Sequence, residues 1–515
     1  MRNRPFLLSM SKYLLPVVVL LLLNSCGIFK SGIPQPRREF RGVWIATVVN
    51  IDWPKNGNDA PKKQKTDYLH ILDFYQNLNY NAVIVQVRTA GDAFYKSDFA
   101  PLSRFLTGEE GKTAQWKEDT LDWMIKEAHN RGMEFHAWFN PYRASFDLKT
   151  QVLSPTHDYY MHPEWMLKYG TKYYYNPGIP EVRNRFSEVI QEVVTLYDLD
   201  AIHFDDYFYP YKIKNEVFND SLAFKRYAQQ HQTLEDWRRS NVDSLVKNVH
   251  QTIKSEKPWV QFGISPFGVW KNKSTDPKGS DTQAGQTTYE DLYADPLLWM
   301  QEGWIDYIAP QVYWSMELPV ASHKKIVDWW AQNNTRSNLY IGNGAYKVRN
   351  NSDQAWNEKK ELPNQLKLAR NTPAVSGNIL FSAKSLMNDN PDVVDYLKKK
   401  YYRLPALTPV TPSSKTVEQT IPIIKASFQN DETVQFDLRD TSDWSHALIY
   451  KSRKKAKSQY PMKKLIQKTY LDGNTDTLII SKRMISGKHF ALTFLDKYGQ
   501  ESEPRMIQIK EISQK

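Results

Sequence analysis

Cysteine is nearly missing from this chain. Cys26 is the only one in 515 residues, so no disulfide can form within it. There is no cysteine cluster and no His-Glu-x-x-His run, the usual signatures of a metal hydrolase. No Gly-rich fingerprint follows a strand pattern, which argues against a dinucleotide fold. Basic residues are spread along the chain. The formal net charge of +11, from 68 Lys+Arg and 57 Asp+Glu, forms no dense patch of the kind that binds nucleic acid. Beyond residue 23 no long apolar run exists, so the body carries no membrane-spanning helix pattern. No acidic run follows Cys26, and so nothing signals surface display.

What is present begins with a targeting segment. Arg2, Arg4 and Lys12 precede an apolar core from Tyr13 to Leu23, too short for a comfortable bilayer span. It closes Leu23-Asn24-Ser25-Cys26-Gly27, which resembles a bacterial lipobox, with Asn24 a looser fit than a small residue. Residues 1–26 are therefore expected to be a lipoprotein signal peptide with lipid attached at Cys26. Residues 27–36 then read as a tether to the membrane. An ordinary cleaved signal peptide is the alternative.

From Arg41 onward short apolar runs alternate with helical patterns, which implies a parallel sheet. The runs lie at 42–48, 82–88, 134–140, 200–205, 262–266, 305–313, 339–342 and 377–381. Eight strand–helix units over residues 37–403 predict a (β/α)8 TIM barrel of the α/β class. Helices are expected near 121–131, 182–197 and 234–253. Three long connections, 143–179, 207–230 and 271–288, all follow strands and so fall on the catalytic face. The first is rich in aromatics: Tyr159, Tyr160, Trp165, Tyr169, Tyr173, Tyr174 and Tyr175. Residues 404–415, with Pro405, Pro409 and Pro412, read as a linker. Short strands at 433–438, 446–450 and 489–494 predict a C-terminal β-sandwich of immunoglobulin or fibronectin-III type over 416–515. Its expected role is a spacer or a dock for an envelope partner.

The stretch Asp200-Ala201-Ile202-His203-Phe204-Asp205-Asp206-Tyr207 organises the rest. Strand side chains alternate between faces, so Ala201, His203 and Asp205 share the inward face and Ile202 and Phe204 the outward one. A polar strand end is where barrel catalysts sit. By the same alternation Arg88, His136, Asn140, His203, Gln311 and Tyr313 form an inward polar ring able to hydrogen-bond sugars. Trp44, Trp138, Tyr142 and Trp314 are candidate stacking platforms.

Four ordered phrases, Glu134-Phe135-His136-Ala137-Trp138-Phe139-Asn140-Pro141-Tyr142-Arg143, His203-Phe204-Asp205-Asp206-Tyr207-Phe208-Tyr209-Pro210, Gly263-Ile264-Ser265-Pro266-Phe267-Gly268 and Asp306-Tyr307-Ile308-Ala309-Pro310-Gln311-Val312-Tyr313-Trp314, resemble the glycosyl-hydrolase-like family-10 proteins over roughly residues 37–400. Members are bacterial barrel proteins and often lipoproteins. One relative, a divisome-associated hydrolase, cuts peptidoglycan strands stripped of their peptides. The resemblance implies a cell-envelope glycosidase; with the lipobox at Cys26 a lipid-anchored, periplasm-facing enzyme is expected, and no cofactor is expected. A non-catalytic glycan-binding lipoprotein is the alternative. Arg143 and Tyr207 join the substrate-binding set through these motifs.

Glycoside hydrolysis generally uses two carboxyl groups. Asp205 is expected to stabilise or attack the developing oxocarbenium centre. Asp206 and Glu317 are the candidate acids. A substrate-assisted route through an N-acetyl group is also open, with Asp205 or Asp206 orienting the acetamide. A divalent ion on His136, His203, Asp205 and Asp206 is the rival chemistry.

Overall fold

The computed structural model describes residues 33–412, 414, 421–422, 425–428, 432–452, 457–481 and 489–508. Cys26 and the targeting segment lie outside them. No helix of the described residues is long and apolar enough to cross a membrane.

Eight parallel strands close into a barrel: β1 (Phe40–Ile45), β2 (Ala82–Arg88), β3 (Glu134–Phe139), β4 (Ala201–Phe204), β5 (Gln261–Ile264), β6 (Tyr307–Ile308), β7 (Asn338–Asn343) and β8 (Val375–Leu380). Each pairs with its sequence neighbour, and β1 closes on β8. A helix follows each strand: α1 (Pro61–Asn77), α2 (Thr120–His129), α3 (Pro180–Leu196), α4 (Leu234–Glu256), α5 (Pro296–Glu302), α6 (His323–Asn333), α7 (Glu361–Asn371) and α8 (Pro391–Tyr396).

The strands are buried on both faces, the usual condition of parallel sheets, and β2 shows it along its whole length. The period of two sorts their side chains. Phe40, Trp44, Ala82, Ile84, Trp138, Ala201, Tyr307, Tyr340 and Ile379 pack together in the interior. Val83, Val85, Ile202 and Phe204 turn outward under the helices, where Phe204 meets Phe186 of α3 edge-on at 5.4 Å. Helix starts carry caps: Asp119 accepts from the amides of Leu121 and Asp122, and Thr233 from that of Asp236.

The sixth strand is shorter than the run 305–313 predicts. Only Tyr307–Ile308 pairs as a ladder, followed by single bridges from Gln311 to Phe267 and Gly342. Pro310 has no N–H to give a ladder, which explains the interruption.

The C-terminal part has a three-stranded antiparallel sheet of β9 (Lys425–Phe428), β10 (Thr433–Asp437) and β13 (Thr477–Ser481). It also has a four-stranded one of β11 (Trp444–Lys451), β12 (Leu465–Tyr470), β14 (His489–Asp496) and β15 (Arg505–Gln508). Val434, Phe436, Trp444, Ile449, Leu478, Phe490 and Phe494 fill the space between them. This sandwich packs under the N-terminal end of the barrel. His129 stacks on Tyr470 at 3.8 Å, Lys468 Nζ donates to the Gly132 carbonyl at 3.0 Å, and Lys497 lies over the Trp259 ring at 4.1 Å. The proline-bearing connection 404–412 is fastened along its length. The Glu39 amide donates to the Leu407 carbonyl at 2.9 Å, Asn338 donates to the Val410 carbonyl at 3.0 Å, and the Thr411 amide donates to the Tyr498 carbonyl at 3.1 Å.

Candidate active site

A hydrogen-bonded column fills the barrel axis beneath the site. The Tyr307 hydroxyl lies 2.9 Å from His203 Nδ1 and 2.9 Å from His136 Nδ1. The Trp44 indole N–H donates to His203 Nε2 at 3.2 Å, and His136 Nε2 is 3.1 Å from Glu134 Oε2. An indole nitrogen only donates, and a carboxylate only accepts. The tautomers follow. His203 Nδ1–H donates to Tyr307, Tyr307 donates to His136 Nδ1, and His136 Nε2–H donates to Glu134. Burial, then the nearby His136, holds His203 well below its usual pKa, so it is neutral. The tyrosine ring fits because position 263 on β5 is glycine. A Cβ there would stand 1.9 Å from the Tyr307 ring.

The carboxylates stand one step further along β4. Asp205 Oδ1 accepts from Gln311 Nε2 at 2.9 Å and from the Asp206 amide at 2.9 Å. Its Oδ2 accepts from Asn140 Nδ2 at 3.4 Å. Asn140 is itself set by Gln86, whose Nε2 donates to Asn140 Oδ1 at 2.7 Å. Three N–H donors thus converge on Asp205. Asp206 is more deeply enclosed, 2% exposed against 8% for Asp205. Tyr211 donates to its Oδ2, and its Oδ1 is buried with no partner among the described residues. Burial first, then the Asp205 charge, pushes Asp206 well above the usual carboxylate range. Burial and the neighbouring carboxyl thus favour the protonated form of Asp206.

Aromatic rings surround this pair. Tyr207 packs edge-on to Tyr211 at 5.3 Å, Tyr211 to Phe267 at 6.5 Å, and Phe267 to Trp314 at 5.4 Å. Arg143 lies over the Tyr207 ring at 4.9 Å. On the other side Tyr313 stacks on Phe381 at 6.0 Å, and Phe381 meets Trp44 at 6.2 Å. The Phe381–Ser382 peptide is cis. Trp138 faces the interior with its indole N–H buried and unpartnered among the described residues.

The structure thus brings together Asp205, Asp206, Asn140, Gln311, Tyr313, Trp314, Tyr207, Arg143, Trp44 and Trp138, with His136 and His203 directly beneath. Arg88 is a correction. The ladder slips between Gln86 and Arg88, so Gln86 takes the inward place. Arg88 turns outward to the Phe186 ring at 6.0 Å and the Asp92 carbonyl at 3.4 Å. Tyr142 is sealed at 1% exposure rather than open to the mouth. Glu317 is exposed on the β6–α6 loop, and its charge is felt by Glu361. Every imidazole nitrogen of His136 and His203 is engaged, and no group of three or more metal-ligating side chains gathers among the described residues. Ser265, whose Oγ lies 3.0 Å from His203 Nε2, belongs to the site with Tyr307, Tyr211, Phe267 and Phe381, and none of the five is singled out by the sequence. Period-two alternation from Gly263 and from Gln311 marks the first two as inward. Tyr211 and Phe267 lie in loops, where no periodicity applies.

Residues 39–358 match the family model described as Glycosyl hydrolase-like 10. The chain is 47% identical over 396 residues to Glycosyl hydrolase YngK of Bacillus subtilis, covering 75% of this chain and 77% of that protein. It is 37% identical over 391 residues to Glycosyl hydrolase DigH of Escherichia coli K12, covering 71% and 88%. Among solved structures, the glycoside hydrolase domain of PgaB (BpsB) from Bordetella bronchiseptica aligns with a TM-score of 0.42 at 12% identity, over 70% of this chain and 99% of that one. That last likeness is too loose to bear on chemistry. The two sequence relatives and the family match are not, and this chain belongs to the Glycosyl hydrolase-like 10 family as a glycoside hydrolase built on a closed eight-stranded barrel.

Proposed function

We propose that the chain cuts glycan strands of the bacterial cell envelope, peptidoglycan stripped of its peptides being the substrate, and does so from a lipid anchor at Cys26. The observation that carries the chemistry is the Asp205–Asp206 pair at the C-terminal end of β4, with Asp205 held by Gln311 and Asn140 and Asp206 buried and raised well above the usual carboxylate range. Asp206 is the acid that protonates the leaving glycosidic oxygen, with Tyr211 hydrogen-bonded to its Oδ2. Asp205, held by Asn140 and Gln311, stabilises the positive charge that grows at the anomeric centre.

Carboxyls on adjacent residues lie on one side of a bound sugar. They do not flank it across the gap of roughly 5–9 Å that two-carboxylate mechanisms use. This favours the substrate-assisted route. The N-acetyl oxygen of the sugar attacks the anomeric carbon, and Asp205 accepts from the acetamide N–H. Arg143, Tyr207, Trp314 and Tyr313 border the sugar. Residues 416–515 form the sandwich domain that spaces or docks the barrel.

The test is incubation of the protein with intact and with peptide-stripped peptidoglycan, followed by mass analysis of the released sugars. Release from stripped strands alone supports the reading. Release from neither, with activity on another polymer, would replace the substrate and keep the site.

A further inference from the structure

We propose that the aromatic wall of the mouth runs on into a second sugar-binding subsite, between the β7–α7 and β8–α8 loops, which holds the pyranose units next along the strand. This rests on the glycosidase reading above and extends it to residues that reading does not use.

The wall is continuous. From Trp44 it passes to Phe381, and the Tyr346 ring lies 5.9 Å from Phe381 and 6.1 Å from Tyr313, edge-on to both. Trp44 at the inner end is 2% exposed and Tyr346 at the outer end 40%. The wall therefore leads from the core to solvent. The Tyr346 amide donates to the Phe381 carbonyl at 3.2 Å, which fixes the two rings to one another.

Beyond Tyr346 opens a groove of about 550 Å3, lined by Tyr346, Asn350, Lys384, Ser385, Asn388 and Asp389. That volume suits a small-ligand site, commonly about 300–1,000 Å3. With Arg349 and Asn390, which also line it, the groove offers one aromatic face, three side-chain amides, a hydroxyl, an ammonium, a guanidinium and a carboxylate. A pyranose asks for this mixture: an apolar C–H face set on a ring, with hydroxyls and an amide around its edge.

Both walls are braced. Arg349 of the β7–α7 loop donates to Asn390 Oδ1 at 2.6 Å and to Asp392 Oδ2 at 2.7 Å across the groove. The β8 side is pinned to Asp52, which accepts from the Lys384 amide at 2.9 Å and from Ser382 Oγ at 2.8 Å. Exposed ion pairs add little stability, but this set fixes the spacing of the loops. A groove already in its binding shape loses less entropy when a ligand enters.

The test uses hexasaccharide and disaccharide prepared from peptide-stripped peptidoglycan, titrated into the full chain with Asp205→Asn to prevent turnover. Tyr346→Ala is expected to weaken hexasaccharide binding about tenfold, the scale of one lost stacking contact, and to leave disaccharide binding as it was. Asn388→Trp, which fills the groove while sparing every ring of the wall, should give the same selective loss. Equal hexasaccharide affinity in the unaltered groove and both variants, with melting temperatures unchanged, overturns the subsite. So does a hexasaccharide that binds no better than the disaccharide before either change. The glycosidase reading fails by a different sign: the parent chain binds hexasaccharide yet releases no sugar from the strands.

Discussion

Replacing Tyr307 by Phe removes one oxygen from the centre of the barrel and nothing else. The ring keeps its neighbours Phe40, His136 and Tyr340. What goes are two hydrogen bonds of 2.9 Å, to His203 and His136. Both imidazoles are fully buried, so His203 Nδ1–H and His136 Nδ1 lose their partners with no bulk water to replace them. An orphaned buried polar group costs about 1–3 kcal/mol. Two of them give about 2–6 kcal/mol, set against a typical total stability of roughly 5–15 kcal/mol. Urea unfolding followed by far-ultraviolet circular dichroism should show a lower midpoint with an unchanged slope. Nitrogen-15 spectra of the parent should report His203 protonated at Nδ1 and His136 at Nε2. A stability loss below about 0.5 kcal/mol, less than one orphaned group costs, or the opposite tautomers, would refute the column as described.

Two further perturbations address the acid and the domain contact. Burial and Asp205 raise the folded-state pKa of Asp206 above its unfolded value of about 3.9. The native state thus keeps a proton that the unfolded chain releases. The associated stability is fully present below the unfolded pKa and is lost as pH rises through the folded one. Asp206→Asn lacks this slope, so its melting temperature should gain on the parent's as pH climbs from about 4; a constant difference would contradict a raised pKa. The same variant should lose about 10²–10⁴-fold in turnover of glycan, and far less on an aryl glycoside whose leaving group needs no proton. Deleting residues 416–515 uncovers the stacked face of His129 and cuts the bonds of Lys468 and Tyr470 to the barrel floor. The truncated barrel should keep its circular dichroism but melt at lower temperature, and an unchanged melting temperature would show those contacts to be inert.

Much of this architecture is legible in the sequence because strands buried on both faces read as short apolar runs, and within each run the side chains alternate in direction by geometry alone. Ala201, His203 and Asp205 can be placed inward from β4 alone, and His136, Trp138 and Asn140 from β3. Alternation misplaces Arg88 because a single register slip, invisible to a count of residues, exchanges the faces beyond Gln86. It also draws the sixth strand too long, because apolar periodicity continues through Pro310 while the hydrogen-bond ladder does not. The role of Tyr307 is hidden for another reason. It depends on partners from β3 and β4, and no local pattern states that a hydroxyl will fall between two histidines. The placement of Tyr211 beside Asp206, and of Phe267 between Tyr211 and Trp314, is non-local in the same way. The exposure of Glu317, by contrast, follows from its position in a polar loop.

The central claim is tested most directly by Asp205→Asn on peptide-stripped glycan strands. The substitution keeps shape and removes the charge that Asn140 and Gln311 hold in place. Turnover should fall at least about a hundredfold, the scale for one preorganised electrostatic group, while glycan binding persists and the melting temperature stays level or rises. Full activity in the variant contradicts the assignment of Asp205, and activity lost together with the fold would make it a structural residue instead.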